Sequence, residues 1–203
     1  MMAQTDDASD LAERDDWPAD PWDLLVSWLP DNEDPERPLM TLATATGGAP
    51  DGRTVLLSAF DRDGFYFHTD SRSRKIADVE ANPRVALVLF FGAWSRQLTV
   101  QGVVEPLTED ELRWAYDHRR EYLKELAWLN TDEFAALPLA ERLDRWADLA
   151  AEQKGEWSPP DTWTGRRVRP SRLTFWAGRD DTCSRRVEYR STDDGWTVSV
   201  LAG

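Results

Sequence analysis

Hydrophobic and polar residues alternate through much of the chain beyond its acidic N-terminal part, a pattern typical of strands with one buried face. Residues 39–46, 53–60 and 65–69 alternate or are rich in strand-forming residues, and short loops containing Gly, Asp and Pro separate them. Such loops favour antiparallel hairpins. Residues 84–91 are apolar throughout, which predicts a strand buried on both faces, and residues 96–107 alternate again. Five consecutive strands with tight turns predict a small closed or nearly closed barrel.

Two short helices accompany these strands. Residues 21–29 place Trp, Leu and Val side chains at helical spacing, and Pro30 ends the segment. Asp70 or Ser71 is positioned to cap a second helix over residues 72–80, where two apolar side chains share one face. The first helix is expected to dock on the body of the protein.

A longer helical region follows the fifth strand. Thr108 and Glu111 have the spacing of a capping box, and interruptions are expected near Asn130 and Pro138. The chain then returns to strand patterns at residues 171–178, 185–191 and 196–203. The last two segments flank the turn sequence TDDG and are expected to form a hairpin.

Length and charge bound the number of domains and the class of ligand. The chain has 203 residues; residues 1–16 are polar and acidic and are predicted to be disordered, and residues 17–203 are predicted to form a single domain. Residues 1–37 contain twelve Asp or Glu against two Arg, which accounts for −10 of the formal net charge of −14. A chain of this balance lacks the continuous basic face that duplex nucleic acid requires, but a small anion remains a possible ligand.

Few side chains are available for catalysis or metal binding. Cys183 is the one cysteine, which excludes an intramolecular disulfide and favours a reducing compartment, and no apolar run is long enough to span a membrane. We therefore expect a cytoplasmic protein without a membrane partner. His68 and His118 are the two histidines, so no metal site is expected, and Walker, Gly-x-Ser-x-Gly and His-Glu-x-x-His motifs do not occur. A cofactor that brings its own reactivity is the better hypothesis.

One cationic segment points to an anion. The sequence SRSRKIADVEANPR, residues 71–84, places Arg72, Arg74 and Lys75 at the start of a predicted helix. Cations at that end oppose the helix dipole at a cost of roughly 0.3–1 kcal/mol. The segment is therefore either a solvated charged surface or a binding site for an anion such as phosphate.

Two further segments suggest a binding site for a planar ring. Gln97 follows Arg96 at the start of a strand, where an amide at a barrel mouth is able to hydrogen-bond the edge of a heterocycle. Trp176, in FWAGRDDTCSRR, is able to cover a ring, with Arg185 and Arg186 adding positive charge. Single-stranded nucleic acid is an alternative ligand for a cationic face with aromatic residues, but the acidic balance of the chain disfavours it.

These motifs, in this order and spacing, resemble the pyridoxamine 5'-phosphate oxidase family. They are RTVLL at residues 53–57, SRK at 73–75 with ANPR after it, RQ at 96–97, FWAGR at 175–179, and a closing GW strand that ends in LAG. The resemblance covers most of the chain. It implies a mainly β fold with helices (α+β), an FMN-binding split barrel of antiparallel Greek-key strands. It also implies a homodimer, with residues 171–203 as the dimerisation segment and FMN at the interface.

The resemblance further implies which residues bind FMN. The residues at cofactor positions are Arg53, Thr54, Val55, Leu56, His68, Thr69, Arg74, Lys75, Gln97, Trp176 and Arg186. In this assignment the cations hold the flavin or its phosphate, Gln97 contacts the isoalloxazine edge, and Trp176 lies near the ring. The anion expected at the cationic segment is then the FMN phosphate.

The substrate positions depart from the family pattern. They are Ser58, Tyr116, Arg120, Thr182 and Ser184. Tyr116 and Arg120 match a Tyr and an Arg that clamp a substrate phosphate in the family, and their spacing predicts one shared helix face. Ser58 replaces a family Lys, and Thr182 and Ser184 replace the Arg and the His of an Arg-x-His-x-Arg motif. Each lost charge-assisted contact costs about 1.5–3 kcal/mol of binding.

The resemblance therefore implies an FMN-dependent oxidase whose small-molecule substrate is less anionic than a pyridoxine phosphate, such as a biosynthetic intermediate. Hydride transfer to the flavin would oxidise this substrate, and oxygen would reoxidise the flavin. Two alternatives keep the fold: a deazaflavin-dependent reductase, and a non-catalytic flavin- or haem-binding protein in which His68 is a candidate haem ligand. Trp176 and Arg186 favour FMN over deazaflavin, because these matches belong to the oxidases.

Overall fold

The structure, a computed structural model, describes residues 16–91, 95–153 and 155–203; the predicted disordered segment lies outside these ranges except for Asp16. The strands are β1 (Leu39–Thr46), β2 (Ala49–Leu56), β3 (Ala59–Asp61), β4 (Gly64–Asp70), β5 (Arg84–Phe91), β6 (Arg96–Pro106), β7 (Trp163–Ala177), β8 (Arg185–Thr192) and β9 (Gly195–Ala202). The helices are α1 (Trp22–Trp28), α2 (Arg74–Ala81), α3 (Glu109–Asp117), α4 (Glu121–Leu129), α5 (Asp132–Ala135) and α6 (Leu139–Gln153).

Antiparallel pairing joins the strands into one sheet with the order β2-β1-β5-β6-β7-β4-β3. One edge of the 15-residue strand β7 pairs with β6. The other edge pairs with β4 near Trp163 and with β8 near Ala177, and β9 extends β8 as the final hairpin. Two groups of strands therefore diverge from one shared strand, and the prediction of an antiparallel β fold with helices is confirmed.

Strand β7 is longer than predicted, because it begins at Trp163 rather than at residue 171. Arg167 and Arg169 obscure the alternation of apolar and polar residues in the first half of β7, because charged residues are usually exposed. Their guanidinium groups pair with Glu105 of β6 at 2.9 Å and 3.0 Å. These cross-strand ion pairs stabilise a charged segment as a strand.

The turn between β1 and β2 is shorter than predicted. The sequence predicts a loop over residues 47–52, but β2 begins at Ala49, and only Gly47 and Gly48 separate the two strands. Both glycines have positive φ, 59° and 83°. Two-residue hairpin turns need this conformation at both central positions, and glycine adopts it without a steric penalty.

Strand β5 is buried on one face rather than on both, contrary to the prediction from its apolar sequence. Val85, Leu87 and Leu89 are buried, whereas Phe90 on the opposite face is 45% exposed. Successive side chains of a strand point to opposite faces, so an apolar run by itself does not reveal that one face is uncovered.

The helix caps match the sequence in one case and differ in another. Thr108 and Glu111 form the predicted capping box at the start of α3. Helix α2 is capped by Ser73 instead of Asp70 or Ser71, and the Ser73 side chain makes no capping hydrogen bond. Asp70 is engaged elsewhere, because its carboxylate binds the Arg72 guanidinium at 2.7 Å.

Helix α1 packs on the buried face of the sheet, as predicted. Leu24 and Leu25 are 4% exposed and belong to the same hydrophobic cluster as the inward residues of the strands. The Trp28 ring meets the Phe175 ring edge-on, with centroids 5.2 Å apart. The apolar face of α1 is thus part of the core.

The close approach of β6 and β7 at a register shift leads to a prediction. A Cβ atom at Gly102 would lie 2.1 Å from the carbonyl oxygen of Arg169, whereas a Cβ at Gly52 would meet only a Thr41 methyl group at 3.8 Å. Gly102→Ala should therefore lower the free energy of unfolding by roughly 1–3 kcal/mol. Gly52→Ala is the matched control and should change it by less than about 0.5 kcal/mol. Urea unfolding measures both; equal effects would contradict the steric argument.

Candidate functional site

Arg53 of β2 is the best-anchored cation of the predicted anion site. Its Nη1 donates to Thr44 Oγ1 at 2.8 Å, and its Nη2 donates to Asp51 Oδ2 at 2.8 Å and to Asp78 Oδ2 at 2.6 Å. Asp78 belongs to α2, so these contacts tie the hairpin β1–β2 to that helix. Burial by itself raises the pKa of the Asp78 carboxyl, but hydrogen bonds from the Thr44 hydroxyl and the Arg53 guanidinium, together with the charges of Arg53 and Arg74, hold it below its usual range.

Arg74 and Lys75, from the first turn of α2, join this group. The Arg74 guanidinium binds Asp51 Oδ2 at 2.8 Å, and Lys75 Nζ donates to Thr69 Oγ1 at 3.0 Å. We call Arg53, Arg74 and Lys75 the cationic cluster. Burial, and after it the positive charge of Arg53, lowers the pKa of the Lys75 ammonium group, and a bound anion would oppose both effects.

The cationic cluster is suited to a phosphate-sized anion. Three cations against Asp51 and Asp78 leave one net positive charge, and the first N–H groups of α2 have no partner within the helix. Thr69, at the end of β4, and Ser73 add two hydroxyl groups 3.5 Å apart. The structure thus brings together Arg53, Thr69, Arg74 and Lys75, as the sequence predicted.

A second group of predicted residues lies in one row across three strands. Gln97 of β6 is the cross-strand partner of Trp176 of β7, which in turn is the partner of Arg186 of β8. Directly paired residues project to the same face of a sheet. The Gln97 amide donates to Thr99 Oγ1 at 3.0 Å, and this contact orients its carbonyl oxygen. We call these three residues the ring row.

The ring row and the cationic cluster are separate groups within one chain. Strands β1 and β5 lie between β2 and β6 in the sheet. Three strand spacings correspond to roughly 14 Å along the sheet. A ligand that contacts both groups must be extended, with an anion at one end and a flat ring at the other, or must lie between two subunits.

The remaining cofactor positions on β2 differ in exposure. Thr54 is exposed, Leu56 is half-buried, and Val55 packs against the hydrophobic core. Their roles stay a prediction.

His68 lies on the face of β4 opposite Thr69, away from the cationic cluster. Its Nδ1 is 2.9 Å from Ser58 Oγ, and its ring stacks on Trp163 with centroids 4.9 Å apart and an interplanar angle of 4°. The residue keeps some exposed surface, but Nε2 is completely buried. Burial, assisted by the positive charge of Arg119, lowers the pKa of His68 to about 3. The imidazole is therefore neutral near pH 7.

The two predicted phosphate-clamping residues do not share a helix face, contrary to the sequence prediction. Helix α3 ends at Asp117, and Arg120 is the N-cap of α4. Tyr116 is fully buried and contacts Trp163 edge-on at 5.4 Å. Arg120 is exposed and donates to the Pro35 carbonyl oxygen at 2.9 Å. The break between α3 and α4 sends these side chains to different environments.

The break between α3 and α4 also places Arg119 against Trp163. Neither of these residues was identified from the sequence as part of a site. Arg119 Cζ lies 4.2 Å from the centroid of the Trp163 ring system. In the sequence, Arg119 is adjacent to Arg120, which matches the family pattern, and Trp163 lies next to a segment rich in Pro and Gly. Neither residue carries a local signal for a site, because what joins them is the packing of the connection between α3 and α4 against the start of β7.

The last predicted substrate residues lie in the connection between β7 and β8. Thr182 is exposed, and Ser184 is half-buried with its carbonyl oxygen accepting from the Gly203 N–H at 3.0 Å. The structure does not bring either residue to Ser58 or Tyr116 by a contact within the described part of the chain. Their substrate role stays a prediction.

Among the residues that the structure describes, no group of three or more His, Cys, Asp or Glu side chains is arranged to hold a metal ion. None of the helices described is both long and apolar enough to cross a membrane.

The low pKa of His68 predicts a loss of stability in acid. An unfolded histidine titrates near 6.5, so its stabilising contribution is complete above that pH and falls as the pH is lowered towards the native pKa of about 3. At about pH 4.5 the loss amounts to roughly 2–3 kcal/mol. His68→Asn should remove this part of the pH dependence, whereas His118→Asn, at an exposed position, should retain it. Urea unfolding of the three proteins at neutral and acid pH makes the comparison; parallel losses in all three would contradict it.

Comparison of the sequence with family models identifies two matching families. Residues 32–176 match the model described as pyridoxamine 5'-phosphate oxidase. Residues 163–203 match the model described as the pyridoxine 5'-phosphate oxidase C-terminal dimerisation region.

Curated relatives agree with the family models. The pyridoxine/pyridoxamine 5'-phosphate oxidase of Rubrobacter xylanophilus is 39% identical over 159 residues, which cover 77% of this chain and 73% of the relative. The protein of the same name from Salinibacter ruber is 35% identical over 198 residues, covering 93% of this chain and 92% of the relative.

Solved structures share the fold. PhzG from Burkholderia lata, in complex with tetrahydrophenazine-1-carboxylic acid, has a TM-score of 0.77 at 25% identity and covers 93% of this chain and 95% of its own. A pyridoxamine 5'-phosphate oxidase-related, FMN binding protein from Nostoc punctiforme has a TM-score of 0.61 at 17% identity, covering 80% and 87%, and supports the fold alone. The predicted split barrel is confirmed, and the chain belongs to the pyridoxamine 5'-phosphate oxidase family.

Proposed function

We propose that this protein is an FMN-dependent oxidase that acts, as a homodimer, on a small molecule other than a pyridoxine phosphate. The observation that carries the proposal is the pair of groups described above, the cationic cluster and the ring row. FMN has the required extended shape, with a phosphate at one end and a planar ring at the other. When bound, FMN supplies two-electron oxidation, which the side chains of the chain do not provide.

The donor set of the cationic cluster fits the FMN phosphate. Arg74 and Lys75 would donate charge-assisted hydrogen bonds to the phosphate, with Thr69 beside them. Arg53 would add positive charge while its contacts with Asp51 and Asp78 keep it in place. The first turn of α2 contributes further N–H donors.

The ring row fits the other end of the cofactor. The Gln97 amide would hydrogen-bond the polar edge of the ring, and the Trp176 indole would cover or flank it. Arg186 would place positive charge nearby, which raises the electron affinity of a bound ring.

The substrate side favours a molecule that carries less negative charge than a phosphate ester. Ser58, Thr182 and Ser184 are neutral where the family pattern has two cations and a histidine. PhzG, whose solved structure contains tetrahydrophenazine-1-carboxylic acid, is an oxidase-family relative crystallised with a ring that carries a carboxylate instead of a phosphate. This comparison supports a carboxylated ring compound as the class of substrate.

A second candidate function is oxidation of pyridoxine or pyridoxamine 5'-phosphate itself. The names of the relatives from Rubrobacter xylanophilus and Salinibacter ruber favour it. The substitutions at the substrate positions argue against efficient turnover, because each missing charge-assisted contact weakens binding by about one to two orders of magnitude.

The C-terminal segment supports the homodimer. It matches a dimerisation-region model, and its final strand exposes Val198, Val200 and Leu201. Exposed apolar side chains gathered on one edge strand favour pairing with another surface. We infer that a second copy of the chain covers them.

The proposed cofactor leads to a prediction about Lys75. Purified protein should bind FMN, and Lys75→Gln should weaken binding about 10- to 100-fold, because a charge-assisted contact from a half-buried side chain to the phosphate is lost. Arg72→Gln removes a neighbouring cation that is paired with Asp70 and should leave the affinity nearly unchanged. Quenching of FMN fluorescence measures all three affinities.

The spectrum and the turnover of the same samples separate the alternatives. The absorption of the bound chromophore distinguishes FMN from deazaflavin and haem. Rapid return of the oxidised spectrum in air after photoreduction supports an oxidase rather than a passive carrier. Equal FMN affinities of Lys75→Gln and Arg72→Gln would contradict the site. Ordinary turnover of pyridoxamine 5'-phosphate would contradict the proposed substrate class.

The inferred dimer interface predicts a difference between two valines of equal exposure. Val200 on β9 is 51% exposed, and Val26 on α1 is 50% exposed. Val200→Asp should shift the protein towards monomers, because a charge would be buried in the interface, whereas Val26→Asp should not. Sedimentation equilibrium measures the shift. A wild-type monomer, or identical behaviour of both variants, would contradict the inference.

A further inference from the structure

Three side chains meet at the indole of Trp163. The His68 ring stacks on it at 4.9 Å, Arg119 Cζ lies 4.2 Å from its centroid, and Tyr116 meets it edge-on at 5.4 Å. Ser58 completes the group through its contact with His68 Nδ1 at 2.9 Å. We call these five residues the Trp163 cluster.

Two polar atoms of the Trp163 cluster are buried without a hydrogen-bond partner, namely Arg119 Nη1 and His68 Nε2. Folded proteins leave few such atoms, so each one needs an explanation. Within the described part of the chain one further side-chain atom shares this condition, Arg142 Nε, which lies on α6. Two orphaned groups against a single indole indicate a place that a ligand completes.

The group at Arg119 is positively charged. Burial lowers its pKa to about 10, which is still well above neutrality. The neutral His68 adds a polar atom without adding charge. Unlike the cationic cluster, which has three cations and the first N–H groups of α2, the two orphaned groups offer one cation and two donors, which match the single charge and the two oxygens of a carboxylate.

We propose that Arg119 and His68 bind the carboxylate of the substrate, with Arg119 Nη1 and the His68 Nε2–H as donors. The Nε2–H tautomer requires that His68 Nδ1 accept from the Ser58 hydroxyl, and the distance of 2.9 Å allows this. Ser58 is then a positioning residue that orients the imidazole. The inference rests on the proposed function and names the anionic group of its substrate.

The backbone supports this arrangement at two points. Arg119 lies in the short connection between α3 and α4, so its side chain is able to change direction to admit a ligand without unwinding a helix. Gly165, opposite His68 in the sheet, leaves the space that the imidazole fills, because a Cβ there would lie 2.6 Å from His68 Cδ2.

The inference differs from the family-based prediction in the choice of arginine. Sequence spacing pointed to Arg120, which the structure leaves exposed and bonded to the Pro35 carbonyl oxygen. Arg119, its neighbour, has the buried and unpaired nitrogen. The two assignments predict opposite results when the arginines are replaced separately.

Isothermal titration of the FMN-loaded protein with naphthoate, naphthyl phosphate and naphthamide tests the assignment. These probes share one ring system and differ in charge. We expect the wild type to bind naphthoate most tightly, and Arg119→Gln to weaken that binding at least about 10-fold without affecting naphthamide. Arg113→Gln, at an exposed position on α3, is the matched control and should bind naphthoate like the wild type.

The positioning role and the folding of the variants need separate readouts. Arg119→Lys retains the charge but not the planar guanidinium and should recover part of the affinity for naphthoate. Ser58→Ala should weaken the binding of naphthoate less than Arg119→Gln does. It should also shift the NMR signals of the His68 imidazole, a change that a merely structural role of Ser58 would not produce. If Arg119→Gln does not fold, Arg119→Lys and His68→Gln take its place. Each should then bind naphthoate more weakly than the wild type does and bind naphthamide like the wild type.

Several results would overturn the inference. They are failure of the wild type to bind naphthoate, tighter binding of naphthyl phosphate than of naphthoate, or a loss of binding in Arg120→Gln but not in Arg119→Gln. The FMN affinity of each protein is measured in the same preparation. Loss of FMN binding by the wild type would instead refute the proposed function, so the two failures are distinguishable.

Discussion

The backbone pairing of strand β7 along both of its edges is the constraint on which the rest of the structure depends. Its start pairs with β4 and sets Gly165 opposite His68, whereas its end sets Trp176 between Gln97 and Arg186. One strand thus positions both the Trp163 cluster and the ring row. The division of its second edge between β4 and β8 is what opens the sheet into a split barrel.

This acidic protein is able to have a cationic site because most of its excess negative charge lies in a different part of the chain. Asp51 and Asp78 do not cancel the cationic cluster but hold Arg53 at 2.8 Å and 2.6 Å. Ordered in this way, the guanidinium loses little conformational freedom when a ligand arrives. Most of the net negative charge lies in the first 37 residues, and screening limits the reach of exposed charges to about 8–10 Å at physiological salt.

The break between α3 and α4 separates two residues that the sequence predicts to act together. It ends the helix at Asp117, buries Tyr116 and directs Arg119 and Arg120 to different surroundings. A helix continued through this segment would have placed Tyr116 and Arg120 one turn apart on one face. The surroundings of these side chains are therefore decided by the path of the chain as well as by residue type.

The sequence by itself determined the strand segments, the capping box at Thr108, the family and the residues of the cationic cluster, because these depend on local periodicity and on short motifs. It did not reveal the first half of β7, whose cations are neutralised by Glu105 on another strand. Nor did it reveal the meeting of His68 and Arg119 at Trp163, residues that are far apart in the chain. Only the tertiary structure decided these features, because strand pairing and burial join residues that have no local relation in sequence.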